Sequence, residues 1–227
     1  MNRIVSVLAL VFLFIPATSR AQSVWDRNEL LLARGFIASK DGLTVRSLFN
    51  PHLNFYRDFP AQNADGTTNL VVEIPAGDNR KFEVSEQTGV MSWEIKNGKP
   101  RLIDFLGYPA NYGMVPRTMG GDGDSLDGIT LGRFEFRGEV THVKVIGVLH
   151  LIDGGDVDDK IIAVIPGTVF GDIDSLAELD AKYPTIRTII ETWFEDYKGP
   201  GELHSLGFGD ADEAQAVIDA AKAAYVP

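Results

Sequence analysis

Between Asn69 and Ile165 the chain repeats one pattern, a short apolar or β-branched run followed by a turn rich in Gly, Asp, Asn or Pro. The runs Leu70–Ile74, Lys81–Val84, Val90–Ile95, Ile129–Phe136, His142–Ile152 and Lys160–Ile165 read as strands. In the fifth, Val143 and Val145 alternate with polar His142 and Lys144 before the run becomes continuously apolar at Ile146. Five or six short strands joined by Gly-rich turns predict a small closed or partly closed barrel. Residues 22–66, punctuated by Asn50-Pro51, Phe59-Pro60 and Asp65-Gly66, read as an irregular arm or short strands.

The last third changes period. Ile186, Ile189, Ile190, Trp193, Phe194 and Tyr197 fall on one face of a helix, with Pro184 near its start and Gly199-Pro200 ending it. A second helix is expected from Asp210 to about Ala224, with Glu213 three residues after its first residue as a capping-box variant. The fold class is therefore mainly β (α+β), a barrel with attached helices. The 227 residues bound the chain to one or two domains, and 44% apolar with 23% charged residues is an ordinary globular composition.

The N-terminus has the order of an export signal: one positive charge in Met1–Arg3, an apolar run from Ile4 to Ile15, then Pro16-Ala17 and small residues at Ser19 and Ala21. The run is shorter than the roughly twenty residues that span a bilayer. Residues 1–21 are expected to be removed, leaving residues 22–227 as a single domain that is periplasmic or secreted if the source is bacterial. The alternative is a buried core element at the true N-terminus. Loss of Arg3 and Arg20 takes the net charge from −11 to −13. So acidic a chain argues against an extended nucleic-acid footprint. The absence of Cys excludes disulfides, thiolate metal sites, thiol catalysis and a lipoprotein anchor. No stable membrane anchor is expected after cleavage.

Chemistry concentrates in two acidic turns. Asp122-Gly-Asp124-Ser-Leu-Asp127 places three carboxylates in six residues. Such crowding is relieved either by a divalent cation or, in a solvated turn, by water. An EF-hand does not fit, because Leu126, Asp127 and Arg133 occupy loop position five, the position of its Gly and the position of its closing Glu. Asp153, Asp156, Asp158, Asp159 and Lys160 form the second cluster, in a connection between apolar strands. Two such turns on one small barrel can converge on the same ions, and an all-oxygen donor set suits Mg²⁺. Glu73, Lys81 and Glu83 lie within strand-like runs, where the solvent face of a sheet is the plainer explanation. Arg101, Tyr108 and Tyr112 precede the first acidic turn, and Tyr197-Lys198 closes the amphipathic helix. There is no GxSxG, Walker A or HExxH motif, and His52, His142, His150 and His204 lack ligand spacing.

Six blocks together resemble the family I soluble inorganic pyrophosphatases, in that family's order and over roughly residues 50–225. They are Val71–Glu83, Tyr108-Pro-Ala-Asn-Tyr112-Gly, Asp122–Asp127, Ile146–Asp153, Asp158-Asp-Lys160 and Trp193–Lys198. The resemblance implies a five-stranded barrel of OB type with helices packed outside. It implies Mg²⁺-dependent hydrolysis of pyrophosphate to two orthophosphates, with several ions per site and Mn²⁺ or Zn²⁺ as substitutes. By that resemblance Asp122, Asp127 and Asp158 hold two metals, Asp153 ligates those that enter with substrate, and Asp124 takes the proton of the attacking water. Lys81, Arg101, Tyr112, Lys160, Tyr197 and Lys198 bind the phosphates, while Glu73, Glu83 and Tyr108 support them. A homo-oligomer is also implied. Ser125, Gly128 and Gly154 depart from the family pattern. The first two are expected to loosen the acidic turn and weaken metal affinity, and the third to remove a supporting carboxylate. Rival readings are a phosphohydrolase acting on nucleotides or polyphosphate, and a phosphate- or metal-binding protein without turnover.

Overall fold

The computed structural model describes residues 36–47 and 50–226. The expected export signal lies outside them. Among the described residues there are thirteen strands: β1 (Phe36–Ala38), β2 (Thr44–Ser47), β3 (Thr68–Ile74), β4 (Phe82–Val84), β5 (Met91–Trp93), β6 (Ile95–Lys96), β7 (Lys99–Pro100), β8 (Asn111–Met114), β9 (Asp127–Leu131), β10 (Val140–Asp153), β11 (Asp156–Val157), β12 (Lys160–Val164) and β13 (Leu203–Gly209). Three helices follow the barrel strands: α1 (Leu176–Lys182), α2 (Ile186–Asp196) and α3 (Ala211–Ala224).

The pairings β3–β8–β9–β12–β10 return to β3, so five strands form a closed circuit. Closure depends on the length of β10, whose Val140–Val143 pairs with β3 while Lys144–Leu149 pairs with β12. The expected barrel is therefore present, with a different membership. Lys81–Val84 and Val90–Ile95 do contain strands, but β4 and β5 belong to a separate sheet of order β1-β2-β5-β4. The fifth barrel strand is β8, whose four residues are all buried and whose sequence NYGM carries no alternation. Gly113 permits its position, because a Cβ there would lie 1.8 Å from the Val71 carbonyl oxygen. The strand expected over Ile129–Phe136 starts earlier, at Asp127, and stops at Leu131. At the next residue, Gly132 (φ +154°), a Cβ would meet the Ile165 side chain at 2.9 Å.

One apolar cluster takes residues from all five barrel strands, including Ile74, Ile129, Leu149 and Ile162, and packs them against Leu179, Ile190, Trp193 and Phe194 of α1 and α2. A second seats Ala214, Ile218 and Ala221 of α3 on Leu70, Val148 and Ile161. The expected second helix is thus α3, and its N-cap Asp210 accepts from the N–H groups of Asp212 and Glu213. No helix among the described residues is long and apolar enough to cross a membrane.

Candidate active site

The strand register assembles the first half of the site. In the parallel pair β9–β12, Asp127 stands opposite Lys160, and across β8–β9 it stands opposite Met114, two residues along from Tyr112. Side chains two apart on a strand share a face, so Tyr112, Asp127 and Lys160 converge. The Lys160 ammonium donates to Asp127 Oδ2 at 2.5 Å and also to Asp158, and the Tyr112 hydroxyl donates to Asp127. Burial alone would lower the Lys160 pKa, but Asp127 and Asp158 outweigh it and hold the ammonium charged. Asn111, the neighbour of Tyr112 on β8, points to the other face of the strand and ties it to two loops. The Asn111 carbonyl accepts from the N–H groups of Ala76 and Glu135, each at 3.1 Å, and its amide donates to the Arg133 carbonyl.

Asp122 and Asp124 are exposed on the turn before β9. The Asp124 N–H donates to Asp122 Oδ1 at 3.1 Å, and the Gly120 N–H to the Asp124 carbonyl at 2.6 Å. Partial burial raises the Asp122 carboxyl, opposed by that hydrogen bond and reinforced by Asp127. Partial burial also raises Asp124, with Glu86 and Asp127 adding repulsion and Lys81 opposing it. Asp158 is raised by burial as well, against the pull of Lys160. At the two positions expected to loosen this turn the structure shows specific contacts. Ser125 is buried and directs both its N–H and its hydroxyl to Glu86. Gly128 makes room for the Leu70 side chain, which a Cβ would approach to 2.7 Å.

β3 carries a bulge between Val72 and Ile74, which makes Glu73 its additional residue. Glu73 is 3% exposed and accepts the Val84 N–H at 2.5 Å. Burial pushes its carboxyl up to about 8, against the attraction of Lys81. Lys81 lies 5.3 Å from the Tyr112 ring centre. Burial would lower its pKa, but Glu73, Asp127, Tyr197 and Glu83 reverse this and raise it. Glu83 is itself raised by partial burial, against the pull of Lys81.

The second half of the site is a groove of about 440 Å³ lined by Arg101, Tyr197 and Lys198 together with Lys96, Asp104 and Glu202. Arg101 is held by Glu94 at 2.7 Å, and its carbonyl accepts from Trp93 Nε1. Lys198 pairs with Asp153 at the end of β10. The Tyr197 ring stacks on Trp193 at 4.7 Å, and Trp193 packs on Tyr108 at 4.4 Å, which packs on Tyr112 at 5.0 Å. This aromatic chain joins the two halves.

The second acidic cluster divides. Asp153 and Asp158 face the site, whereas Asp156 is exposed in the β10–β11 hairpin and Asp159 pairs with His150. Gly154 (φ +59°) and Gly155 (φ +104°) make that hairpin turn, and a side-chain-bearing residue at either position would be strained. Among the described residues, no three His, Cys, Asp or Glu side chains stand close enough together to hold a metal ion as they are placed, with Lys160 between Asp127 and Asp158. The donor set nevertheless fits Mg²⁺: Asp122, Asp127 and Asp158 are oxygen donors that repel one another, and a lysine ammonium bridges two of them. Sequence reasoning did not mark Glu86, Glu94, Trp93 or Asn111. Only Asn111 carried a signal, as part of the Tyr108–Gly113 block.

Comparison with known proteins finds relatives of this chain. A family model described as inorganic pyrophosphatase matches residues 70–226. The inorganic pyrophosphatase of Sulfolobus acidocaldarius is 32% identical over 166 residues, covering 71% of this chain and 93% of the relative. The mitochondrial inorganic pyrophosphatase of Saccharomyces cerevisiae is 31% identical over 183 residues, 68% of this chain and 59% of the relative. A solved Trypanosoma cruzi vacuolar soluble pyrophosphatase, truncated of its N-terminal domain and in complex with PPi, superposes with a TM-score of 0.71 at 25% identity, covering 79% of this chain and 82% of its own.

Proposed function

This chain belongs to the inorganic pyrophosphatase family, and from that premise we propose that it hydrolyses pyrophosphate to two orthophosphates with Mg²⁺ held by Asp122, Asp127, Asp153 and Asp158. The observation that carries the reading is the alternation of charge: Lys160 bridging Asp127 and Asp158, Lys198 on Asp153, and Lys81 beside Tyr112. A site built this way holds a polyanion and its counter-cations together. Mn²⁺ or Zn²⁺ can take the same oxygen ligands.

The bound metal supplies Lewis-acid polarisation of the phosphoryl oxygens and a water that is more acidic at neutral pH. Lys81, Arg101, Lys160 and Lys198 neutralise the four charges of pyrophosphate, while the Tyr112 and Tyr197 hydroxyls orientate its oxygens. Asp124 is exposed at the tip of the turn and accepts the proton of the attacking water. Attack on one phosphorus breaks the bridging P–O bond, and the second orthophosphate leaves along the groove of Arg101, Tyr197 and Lys198. Parallel assays of pyrophosphate and ATP with Mg²⁺ test the substrate. Pyrophosphate turnover at least a hundredfold above ATP is expected. Faster ATP turnover makes the protein a nucleotide phosphohydrolase, and binding without turnover makes it a carrier.

We propose further that residues 1–21 are an export signal and that residues 22–227 work as one domain in the periplasm or medium, supported by the charged start, apolar run and Ser19-Arg20-Ala21. Mass analysis of the N-terminal peptide from an osmotic-shock fraction is expected to begin near Gln22; the protein found in periplasm-free cells with Met1 as its mature N-terminus contradicts export. The family resemblance also favours a homo-oligomer, which light scattering of the mature chain tests directly.

A further inference from the structure

Glu86 has no role in the reaction outlined above, yet it is bonded to the turn on which that reaction depends. It sits in the loop between β4 and β5, in a different sheet from the turn and 39 residues before Ser125. One of its oxygens, Oε1, accepts both the Ser125 hydroxyl at 2.9 Å and the Ser125 N–H at 3.3 Å. Ser125 is 7% exposed, while its neighbour Asp124 is exposed.

The other bonds of the turn show why this one matters. On the strand side, the Leu126 N–H donates to Thr118 Oγ1 at 3.0 Å, and its carbonyl accepts the Val115 N–H at 2.8 Å. On the outer side the bonds are internal, from Asp124 N–H to Asp122 and from Gly120 N–H to the Asp124 carbonyl. Gly123 (φ +91°) has nothing within 4 Å of where a Cβ would sit. Between the Gly-linked tip and the anchored strand, the Glu86–Ser125 pair ties the turn to the second sheet. A carboxylate oxygen that accepts both the N–H and the hydroxyl of one residue constrains the backbone and the side chain of that residue together.

We propose that Glu86 is a positioning residue, holding Asp124 and the carboxylates on either side of it through Ser125. The inference rests on the pyrophosphatase reading for its catalytic consequence but not for its effect on metal binding. Carboxylates that orientate metal ligands change metal affinity or activity by about 10- to 100-fold when removed.

The test uses the full mature chain and two readouts. The first is Mn²⁺ binding without substrate, by titration calorimetry; the second is steady-state pyrophosphate hydrolysis. Glu86→Ala is expected to weaken Mn²⁺ binding about tenfold and lower kcat about tenfold, with KM for pyrophosphate within about twofold. Glu86→Gln keeps an oxygen acceptor at Oε1 and is expected to restore both to within about threefold. In the Ser125→Ala background the Glu86→Ala effect is expected to shrink, the two changes being coupled. The proposal is overturned if Glu86→Ala leaves Mn²⁺ binding unchanged, if Glu86→Gln is as damaged as Glu86→Ala, or if the two single effects simply multiply. Absence of pyrophosphate turnover in the parent chain refutes the substrate reading alone, because the Mn²⁺ titration still decides the role of Glu86.

Discussion

Asp127 and Lys160 face each other across the parallel pair β9–β12, with Lys160 Nζ 2.5 Å from Asp127 Oδ2 and a further bond to Asp158. The register of two strands therefore places a buried ammonium between two proposed metal ligands. The Lys160 side chain is only 4% exposed, so its charge is compensated by these carboxylates rather than by water.

Replacing Lys160 leaves Asp127 and Asp158 without their shared counter-charge. Lys160→Met is expected to destabilise the metal-free protein by about 3 kcal/mol, the scale for breaking a buried pair by removing one partner. If Mg²⁺ occupies the proposed site of the folded form, saturating Mg²⁺ is expected to recover much of that loss. Urea unfolding in EDTA and in saturating Mg²⁺ checks this. An equal deficit under both conditions contradicts the electrostatic coupling.

Glu73 makes stability depend on pH. Its folded carboxyl, lifted by burial to about 8 from an ordinary 4.5, keeps its proton in the folded state while the unfolded chain loses it. The folded state thus binds more protons between pH 4.5 and 8, so stability falls as pH rises through that window. Glu73→Gln removes this contribution. The difference between parent and variant is expected to change by up to about 1.4 kcal/mol per pH unit, measured by urea unfolding at several pH values from 5 to 8. Parallel profiles contradict the assignment.

Trp193 joins the core to the groove of Arg101, Tyr197 and Lys198. Its indole stacks on Tyr197, packs on Tyr108 and donates to the Leu106 carbonyl at 3.0 Å. Trp193→Ala is expected to cost about 3–5 kcal/mol. At a temperature where the variant is still folded, KM for pyrophosphate is expected to rise as Tyr197 and Lys198 lose their support. Calorimetry and steady-state kinetics on the same preparation check both effects.

Gly113 tests closure of the barrel. A methyl group there would stand 1.8 Å from the Val71 carbonyl oxygen, a backbone atom of the paired strand. Gly113→Ala is expected to part β3 from β8 and leave little folded protein by circular dichroism. A variant with parental Tm would mean that β8 lies farther from β3.

The strands with apolar runs, the helix from Ile186 and the capped helix at Asp210 were all legible: β3 and β12 are buried throughout and read as continuous apolar runs, while the helices bury one face at regular spacing. Membership of sheets was not. β4 and β5 have the same pattern as barrel strands, and their pairing with β1 and β2 is decided by packing. β8 escaped because Asn, Tyr, Gly and Met are buried for different reasons, one of them the absence of a side chain. β13 carries a register shift where it pairs with His150 and Leu151, leaving Leu206 exposed and the alternation broken. α1, at seven residues, is too short for its period to register. The acidic turns pointed to the candidate site, but not to how its charges pair. Lys160 reaches Asp127 through strand register, and Glu86 reaches Ser125 across 39 residues. The contacts of Ser125 and Gly128 were not legible, because neither the Glu86 acceptor nor the Leu70 side chain is adjacent in sequence.

Phosphate release from pyrophosphate by the mature chain, with Mg²⁺, with EDTA, and beside Asp124→Asn, tests the proposed chemistry most directly. The account predicts rapid release that EDTA abolishes and that Asp124→Asn lowers by about 10²- to 10⁴-fold, the usual worth of a positioned general base. Undiminished release in EDTA, or an Asp124→Asn variant as fast as its parent, would contradict it.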